Sequence, residues 1–209
     1  MKLTQTTTKL ILALATTTLV FTGCTQQPRY LNPNQAQSAE AQTLGLDYQD
    51  FRKASIEATQ SMLRSGALNR EGGGRYVLAI STLINDTTQR IDMDQLIKSI
   101  RMSLLQSGKV VVTTAIRAGG AEDNMSYEAR KLRKSDEFNQ KTVAAKGQMI
   151  APDFSLSGKI IQRNAKLSSG DMKVDYYIQL TLTDIKTGLA YWEGETVIEK
   201  AGSNKTVNW

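Results

Sequence analysis

The sequence predicts an α/β (α+β) domain, in which a mixed sheet of four to five strands is packed with helices. Two helical patterns alternate with apolar strand patterns between residues 47 and 116. Three further β patterns, separated by short glycine-bearing turns, fill the stretch from 152 to 200. The 209 residues are 40% hydrophobic, which is enough for one core and fits a single domain from 47 to 209.

The first predicted element is a helix that begins near Asp47. Gly66 is placed to end it, and helical spacing brings four apolar residues near one face: Phe51, Ala58, Met62 and Leu63. Three glycines at 72–74 then indicate a flexible turn. This turn lacks the Gly-Lys-Ser/Thr of a phosphate-binding loop. The apolar run that follows predicts a strand from about 75 to 83, in the interior of the sheet and covered on both faces.

The clearest helix pattern spans residues 92–108. Asp92 is a favourable N-cap, Gln95 stands three residues later as in a capping box, and Gly108 is placed to end the helix. Its apolar stripe consists of Leu96, Ile97, Ile100 and Leu104. A strand is predicted at 109–116, "KVVVTTAI". A strand–helix–strand unit of this length favours a parallel pair with a right-handed crossover.

Residues 123–148 predict one or two helices with a weak apolar stripe and a basic outer face, which comprises Arg130, Lys131, Arg133 and Lys134. The last third predicts an antiparallel meander of three strands. The middle strand alternates without interruption, and one of its faces is formed by Met172, Val174, Tyr176, Ile178, Leu180 and Leu182.

The N-terminus has the three-part pattern of a secretory signal peptide, predicted over residues 1–23. Lys2 and Lys9 supply the positive start, and Leu10 to Phe21 form a mostly apolar stretch. That stretch of about 12 residues is shorter than the roughly 20 that a spanning helix needs. Small residues precede Cys24, the only cysteine of the chain, so an internal disulfide is excluded.

The context of Cys24 resembles the bacterial lipoprotein processing site. In such sites the cysteine sulfur carries a diacylglycerol and the signal peptide is removed before it. An ordinary signal peptide with an incidental cysteine is the alternative. Two or more acyl chains bind a membrane durably, and the absence of aspartate after Cys24 points, by resemblance, to the periplasmic face of the outer membrane. Residues 24–46, rich in Gln, Asn, Ala and Ser, predict a lipidated disordered tether.

Composition excludes several kinds of catalysis. The chain contains no histidine, which excludes Ser-His-Asp and Cys-His catalysis and histidine-containing zinc sites. No cofactor or metal site is predicted. The formal charge of +6 is not concentrated in a basic cluster interleaved with aromatics, so nucleic-acid binding is not predicted.

Carboxylates are the remaining general acids and bases. Asp92 and Asp94 are interpreted as helix capping residues. Glu193 and Glu195 lie on one face of a predicted strand, about 7 Å apart. Paired carboxylates at comparable separations serve glycosidases, so a wall-cleaving enzyme is one hypothesis. Solubility and protection of a strand edge is the structural alternative.

Several phrases, in order, resemble one family: "VLAISTLINDTTQRIDMDQLIKSIRMSLLQSGKVVV" (77–112), "APDFSLSGKI" (151–160) and "LTDIKTGLAYWEGE" (182–195). They resemble the LpoB family, outer-membrane lipoprotein activators of penicillin-binding proteins. The resemblance extends over nearly all of 47–200. It implies a globular domain similar to the N-terminal domain of TolB and distantly to CsgG-type secretion lipoproteins.

The resemblance implies a non-catalytic regulator that docks on a bifunctional class A penicillin-binding protein and stimulates peptidoglycan synthesis. A scaffold lipoprotein of a secretion or flagellar assembly is the second hypothesis. The basic face at 130–134 is a candidate docking surface for an acidic partner, with a solvated helix surface as the alternative. Tyr177 and Tyr191 are candidate partner contacts because tyrosine is enriched at interfaces. Trp192 is expected in the core.

Overall fold

The structure, a computed structural model, describes residues 43–117 and 120–203. Cys24, the predicted signal peptide and residues 24–42 of the predicted tether lie outside the described residues. The elements, in chain order, are α1 (Tyr48–Ser65), β1 (Tyr76–Asp86), α2 (Met93–Gln106), β2 (Val110–Val112), α3 (Met125–Lys131), a 3₁₀ turn (Leu132–Lys134), β3 (Phe154–Lys166), β4 (Met172–Asp184) and β5 (Ala190–Gly202).

The five strands form one mixed sheet in the order β2-β1-β3-β4-β5. β1 pairs in parallel with both β2 and β3, whereas β3, β4 and β5 pair antiparallel as three strands of 13 residues each. The predicted α+β class, the parallel pair and the antiparallel meander are confirmed. β1 is an interior strand, as expected, and three of its consecutive residues are buried: Leu78, Ala79 and Ile80.

Helix α1 forms where the sequence predicts it. The Asp47 side chain accepts hydrogen bonds from the backbone N–H groups of Gln49 and Asp50, and the Asp50 side chain accepts one from the Asp47 N–H at 2.9 Å. This capping box supplies partners for N–H groups that no helical carbonyl can reach. Gly66 ends the helix with a φ of 79°, a left-handed conformation that costs glycine little.

Helix α2 begins at its predicted cap. Asp92 accepts from the N–H groups of Asp94 and Gln95, but the reciprocal half of the predicted capping box does not form. Leu96, Ile100 and Leu104 are buried, which confirms the predicted stripe. The helix ends at Gln106, two residues before Gly108, whose φ is 70°.

One hydrophobic core joins α1 and α2 to a single face of the sheet. Buried residues of both helices and of all five strands belong to it. On β4 the predicted alternation is confirmed, since Val174, Tyr176, Ile178, Leu180 and Leu182 are each at most 2% exposed. Trp192 of β5 is 8% exposed and packs in this core, as predicted.

Two predicted elements are shorter in the structure. The strand predicted at 109–116 is limited to Val110–Val112, after which the chain turns away. The segment 123–148 contains only α3 and the 3₁₀ turn, neither of which has a buried residue. Without an apolar face to pack, a helix of two turns gains little from burial, and the rest of this segment is irregular.

The folded part of the chain begins before Asp47. Leu44 is 3% exposed and belongs to the core, and Leu46 packs against it. The last residues of the segment predicted as a tether are therefore part of the domain.

Candidate functional site

The face of β3, β4 and β5 opposite the helices is the broadest candidate interaction surface, here called the open face. The buried residues of α1 and α2 face the other side of the sheet, and α3 has no buried residue. Strand register assigns the open face these residues: Ser157, Lys159, Ile161, Arg163, Lys173, Asp175, Tyr177, Gln179, Thr181, Glu193, Glu195, Val197 and Glu199.

An apolar row crosses the middle of the open face. Ile161, Tyr177 and Val197 stand directly opposite one another on adjacent strands. Ile161 and Tyr177 are half-buried, and Val197 is 40% exposed. Facing side chains at this spacing touch, so the row forms one continuous apolar ridge. The structure thus places the predicted contact residue Tyr177 at the centre of the sheet surface.

Most charges of the open face are paired within the domain. The Lys159 ammonium lies 2.6 Å from Asp86 of β1, and its hydrogen bond holds the pKa of Asp86 below the usual value. Lys173 lies 2.9 Å from Glu199 and 3.1 Å from Asp175, and its hydrogen bond to Glu199 is the main reason that the pKa of Lys173 is raised. These groups largely neutralise one another.

Glu193 and Glu195 differ from the other open-face carboxylates, Asp175 and Glu199, which are paired with Lys173. Thr181 donates to Glu193 at 3.4 Å, and the Gln179 amide donates to Glu195 at 2.8 Å. Neither carboxylate forms an ion pair with any cation among residues 43–117 and 120–203. Both are exposed on a flat strand surface, and clefts on the described surface lie elsewhere, beside α2 and beside the β1–α2 loop. The structure brings the two carboxylates together but does not enclose them.

Tyr191 lies apart from Tyr177. The β4–β5 register shifts between Leu182 and Thr183, which places one extra residue in β5. Tyr191 is 55% exposed and its ring lies 5.1 Å from that of Phe154, a core residue. It therefore borders the helix-covered side of the sheet, whereas Tyr177 lies on the open face.

Tyr191 belongs to a cluster of three aromatic rings at one end of the sheet. Phe154 contacts Tyr76 edge-on at 4.8 Å between ring centroids. The Arg70 guanidinium lies 5.0 Å above the Tyr76 ring. Burial, followed by the neighbouring Tyr191, raises the pKa of Tyr76. One side of the Tyr191 ring thus packs on the domain, and more than half of the side chain stays exposed.

Most side chains of the predicted basic face at 130–134 already have partners within the domain, so only part of that face is free to contact another protein. Arg130 donates to the Ser126 carbonyl, and Lys131 lies 2.7 Å from Glu128. Arg133 donates to the carbonyls of Ala144 and Ala145 at 2.6 and 2.8 Å. Arg133 thus holds irregular backbone in place, and Arg130 bonds to its own helix, which their sequence spacing does not reveal. Lys134 is exposed.

The structure also reveals a junction that sequence reasoning missed, at the start of the domain. The buried Tyr176 hydroxyl donates to the Leu44 carbonyl at 2.9 Å and accepts from the Gln89 amide at 2.8 Å. The Lys200 ammonium donates to the Gly45 carbonyl and lies 2.5 Å from the Asp50 carboxylate. In the sequence, the one sign of this junction is the position of Tyr176 on the inward face of the alternating strand β4.

Two further observations concern sites of other kinds. Across residues 43–117 and 120–203, no group of three or more acidic, cysteine or histidine residues is arranged to hold a metal ion. None of the helices described combines the length and apolarity required to span a bilayer.

Residues 50–198 match the model of a family described as the peptidoglycan-synthase activator LpoB. Among solved structures, the chain is similar to the LpoB C-terminal domain from Salmonella enterica, at 13% identity and a TM-score of 0.44, over 72% of this chain and 99% of that one. The chain is also similar to the LpoB C-terminal domain from Escherichia coli, at 12% identity and a TM-score of 0.42, over 72% of this chain and 99% of that one. A third similar structure is lipoprotein GNA1162 from Neisseria meningitidis, at 14% identity and a TM-score of 0.38, over 64% of this chain and 87% of that one. No protein of curated function matches the sequence.

Proposed function

Because this chain belongs to the LpoB family of peptidoglycan-synthase activators, we propose that it binds a bifunctional class A penicillin-binding protein and stimulates its synthesis of peptidoglycan. The observation that carries the proposal is the extent of the family match. It runs from residue 50, in α1, to residue 198, in β5, and so includes nearly all of α1, all of α2 and most of the sheet.

The proposed activity is regulatory. An activator that binds the active conformer of a synthase more tightly than the inactive one shifts the population toward the active conformer. The shift is limited by the difference between the two affinities. This mode of action needs a stable surface and no reactive group, and the rigid sheet with its paired charges supplies such a surface.

The proposal places the protein on the periplasmic face of the outer membrane, anchored through acyl chains on Cys24. The predicted tether then connects the anchor to a domain that begins near Leu44. A tether of this kind raises the effective concentration of the domain near the membrane and limits how far it reaches. Contact with the synthase therefore depends on the distance between the membrane and the cell wall.

A reconstituted polymerisation assay tests the proposal. The mature chain without its lipidated cysteine (residues 25–209) is added to purified class A penicillin-binding proteins, and consumption of labelled lipid-linked precursor is followed. We expect faster glycan polymerisation with at least one synthase, and retention of that synthase on the immobilised chain. Unchanged rates with every synthase of the organism, together with no retention, would contradict the proposal.

The same immobilised chain separates the alternatives. Retention of secretion or flagellar components without any synthase would favour the scaffold hypothesis. Clearing of a peptidoglycan gel that disappears in a Glu193→Gln, Glu195→Gln variant would favour the hydrolase hypothesis.

A further inference from the structure

We propose that the open face is the surface that docks the synthase, and that the complementary surface of the partner presents lysine or arginine residues beside an apolar strip. This inference rests on the proposed function and adds to it the site of contact and the chemistry of the partner. Its central residues are Ile161, Tyr177 and Val197, with Glu193 and Glu195 at the β5 border.

The apolar row is the first argument. The solvent-facing side of an antiparallel sheet is ordinarily polar, because only the other side packs on the core. Here a row of Ile161, Tyr177 and Val197 interrupts that pattern across three strands. On β1 beside it, Ile84 is 55% exposed and stands opposite Lys159. Tyrosine is one of the residues enriched near the centre of protein interfaces.

Charge provides the second argument and identifies the partner's chemistry. The chain as a whole has a formal charge of +6, but the β5 border of the open face carries Glu193 and Glu195 without a cation. The neighbouring carboxylates Asp86, Asp175 and Glu199 all have lysine partners. Two unpaired carboxylates next to an apolar ridge are complemented by a surface that supplies cations at the same spacing.

The area of the open face is in the range expected for a reversible protein–protein contact. Three strands of 13 residues, at about 4.8 Å between strands and about 3.3 Å per residue, cover roughly 600 Å². A stable interface of standard size buries about 800 Å² per partner. The open face is thus at the lower end, where reversible complexes occur.

Edge protection alone does not account for these residues. Acidic side chains on an edge strand discourage pairing with other strands, which explains Glu193 and Glu195 by themselves. It does not explain why Tyr177, on the interior strand β4, and Val197 form an apolar row beside them. The competing occupant of the row is a second copy of this chain, and sedimentation detects such a dimer.

Binding of a purified class A synthase to the mature chain (residues 25–209) tests the inference. Two double variants alter the open face: Tyr177→Ser with Val197→Ser, and Glu193→Lys with Glu195→Lys. A third, Ile56→Ser with Glu57→Lys, is the matched control on the outer side of α1, where Ile56 is 41% exposed against 40% for Val197. Circular dichroism and thermal unfolding verify that the wild type and the three variants are folded.

We expect each open-face variant to raise the Kd about tenfold or more, and the control to leave it within about twofold. Added salt should weaken wild-type binding and strengthen the residual binding of the lysine variant, because the introduced lysines repel the cations of the partner and salt screens that repulsion. The lysine variant changes only exposed side chains, so it remains informative if the serine variant is unstable.

Four results overturn the inference. If both open-face variants bind as the wild type does, the docking surface lies elsewhere and the proposed function stands. If the control weakens binding equally, the effect is not specific to the open face. If sedimentation shows that the variants abolish a dimer and leave synthase binding unchanged, the open face joins two copies of this chain. If the wild type binds no synthase, the proposed function fails and the inference fails with it.

Discussion

At the scale of single residues, Tyr176 connects the start of the domain to its sheet. The side chain is fully buried, and its hydroxyl links the Leu44 carbonyl to the Gln89 amide. The same amide side chain accepts a hydrogen bond from the Leu46 N–H at 3.1 Å. The phenol therefore satisfies polar groups from two distant parts of the chain, and Gln89 extends the network to the Leu46 N–H. Without these bonds the enclosed groups would be desolvated without a partner.

Removing that hydroxyl should destabilise the domain. For Tyr176→Phe we expect a loss of about 1–2 kcal/mol in the free energy of unfolding, because the Leu44 carbonyl and the Gln89 amide lose their partner while remaining enclosed. Urea unfolding measures the change. Tyr177→Phe is the matched control, since that hydroxyl is on the open face and has no hydrogen-bond partner in the described structure. An equal loss in both variants would contradict the assignment.

The same residue makes stability depend on pH at the alkaline end. Burial raises the pKa of Tyr176 to about 12, whereas the unfolded chain titrates near 10. Between these values the folded protein retains a proton that the unfolded protein loses, so this contribution to stability is complete below pH 10 and falls as pH rises toward 12. Wild-type stability should therefore decline more steeply than that of Tyr176→Phe in urea unfolding between pH 8 and 11.5. Parallel declines would show that Tyr176 is not responsible.

At the scale of elements, the packing of β5 depends on a glycine. A Cβ at Gly194 would lie inside van der Waals distance of the Trp192 indole ring, which covers this position. Gly158 on β3 and Gly194 on β5 face Leu180 between them, so two glycines make room for a leucine and a tryptophan on the core face. The strand sequence "YWEGET" contains the glycine, but only the fold shows which ring occupies the space.

Gly194→Ala should cost about 1–3 kcal/mol, because overpacking forces the indole out of its position. Thermal unfolding and tryptophan fluorescence both report the change. In a Trp192→Phe background the smaller ring leaves room for the methyl group, so the same substitution should cost less. Strict additivity of the two changes would argue against contact between residues 192 and 194.

An ion pair attaches the chain after β2 to helix α2. The Arg101 side chain is only 9% exposed and both of its terminal nitrogens donate to the Glu122 carboxylate. Nearby, Arg117 lies 2.5 Å from Asp94 in the first turn of α2. Asp94 was predicted as a capping residue; in the structure Asp92 is the cap, and the Asp94 carboxylate, in the first turn of the helix, forms this second link instead.

Glu122→Gln should destabilise the domain by about 1–3 kcal/mol, since it leaves a buried guanidinium without its counter-charge. The double change Glu122→Gln with Arg101→Met removes both charges and should cost less than the single change. Urea unfolding of the three variants provides the comparison. A double variant that is less stable than Glu122→Gln would contradict this explanation.

At the scale of the whole molecule, position in the envelope and contact with the synthase are assigned to different parts of the chain. Lipid on Cys24 is proposed to fix the location, and the folded domain from Leu44 onward is proposed to make the contact. We expect the two roles to be separable by mutation, since they are proposed for different segments of the chain.

Cys24→Ala should abolish labelling with radioactive palmitate and remove the protein from the outer-membrane fraction, while the purified chain still binds the synthase. Membrane fractionation and mass spectrometry of the native N-terminus measure these outcomes. An unacylated mature terminus at a residue other than Cys24 would contradict the lipoprotein assignment.

Much of the fold follows from local sequence patterns. Capping residues and apolar stripes depend on neighbours three or four positions away, so Asp47, Gly66 and Asp92 indicated the ends of helices correctly. The uninterrupted alternation of β4 indicated its buried face for the same reason. Strand length at β2 and helix length in 123–148 were overestimated, because tertiary packing decides whether a weak pattern is realised.

The order of elements, the helix caps, the inward face of β4 and the family resemblance could be predicted from the sequence, because each depends on residues that are close along the chain. Which functional candidates share a surface became clear only from the three-dimensional arrangement. One extra residue in β5 separates Tyr191 from Tyr177, and backbone carbonyls at 144 and 145 occupy Arg133. Pairing across strands likewise leaves Glu193 and Glu195 without cations while their neighbours have them. These relations join residues far apart in sequence, and no local pattern records them.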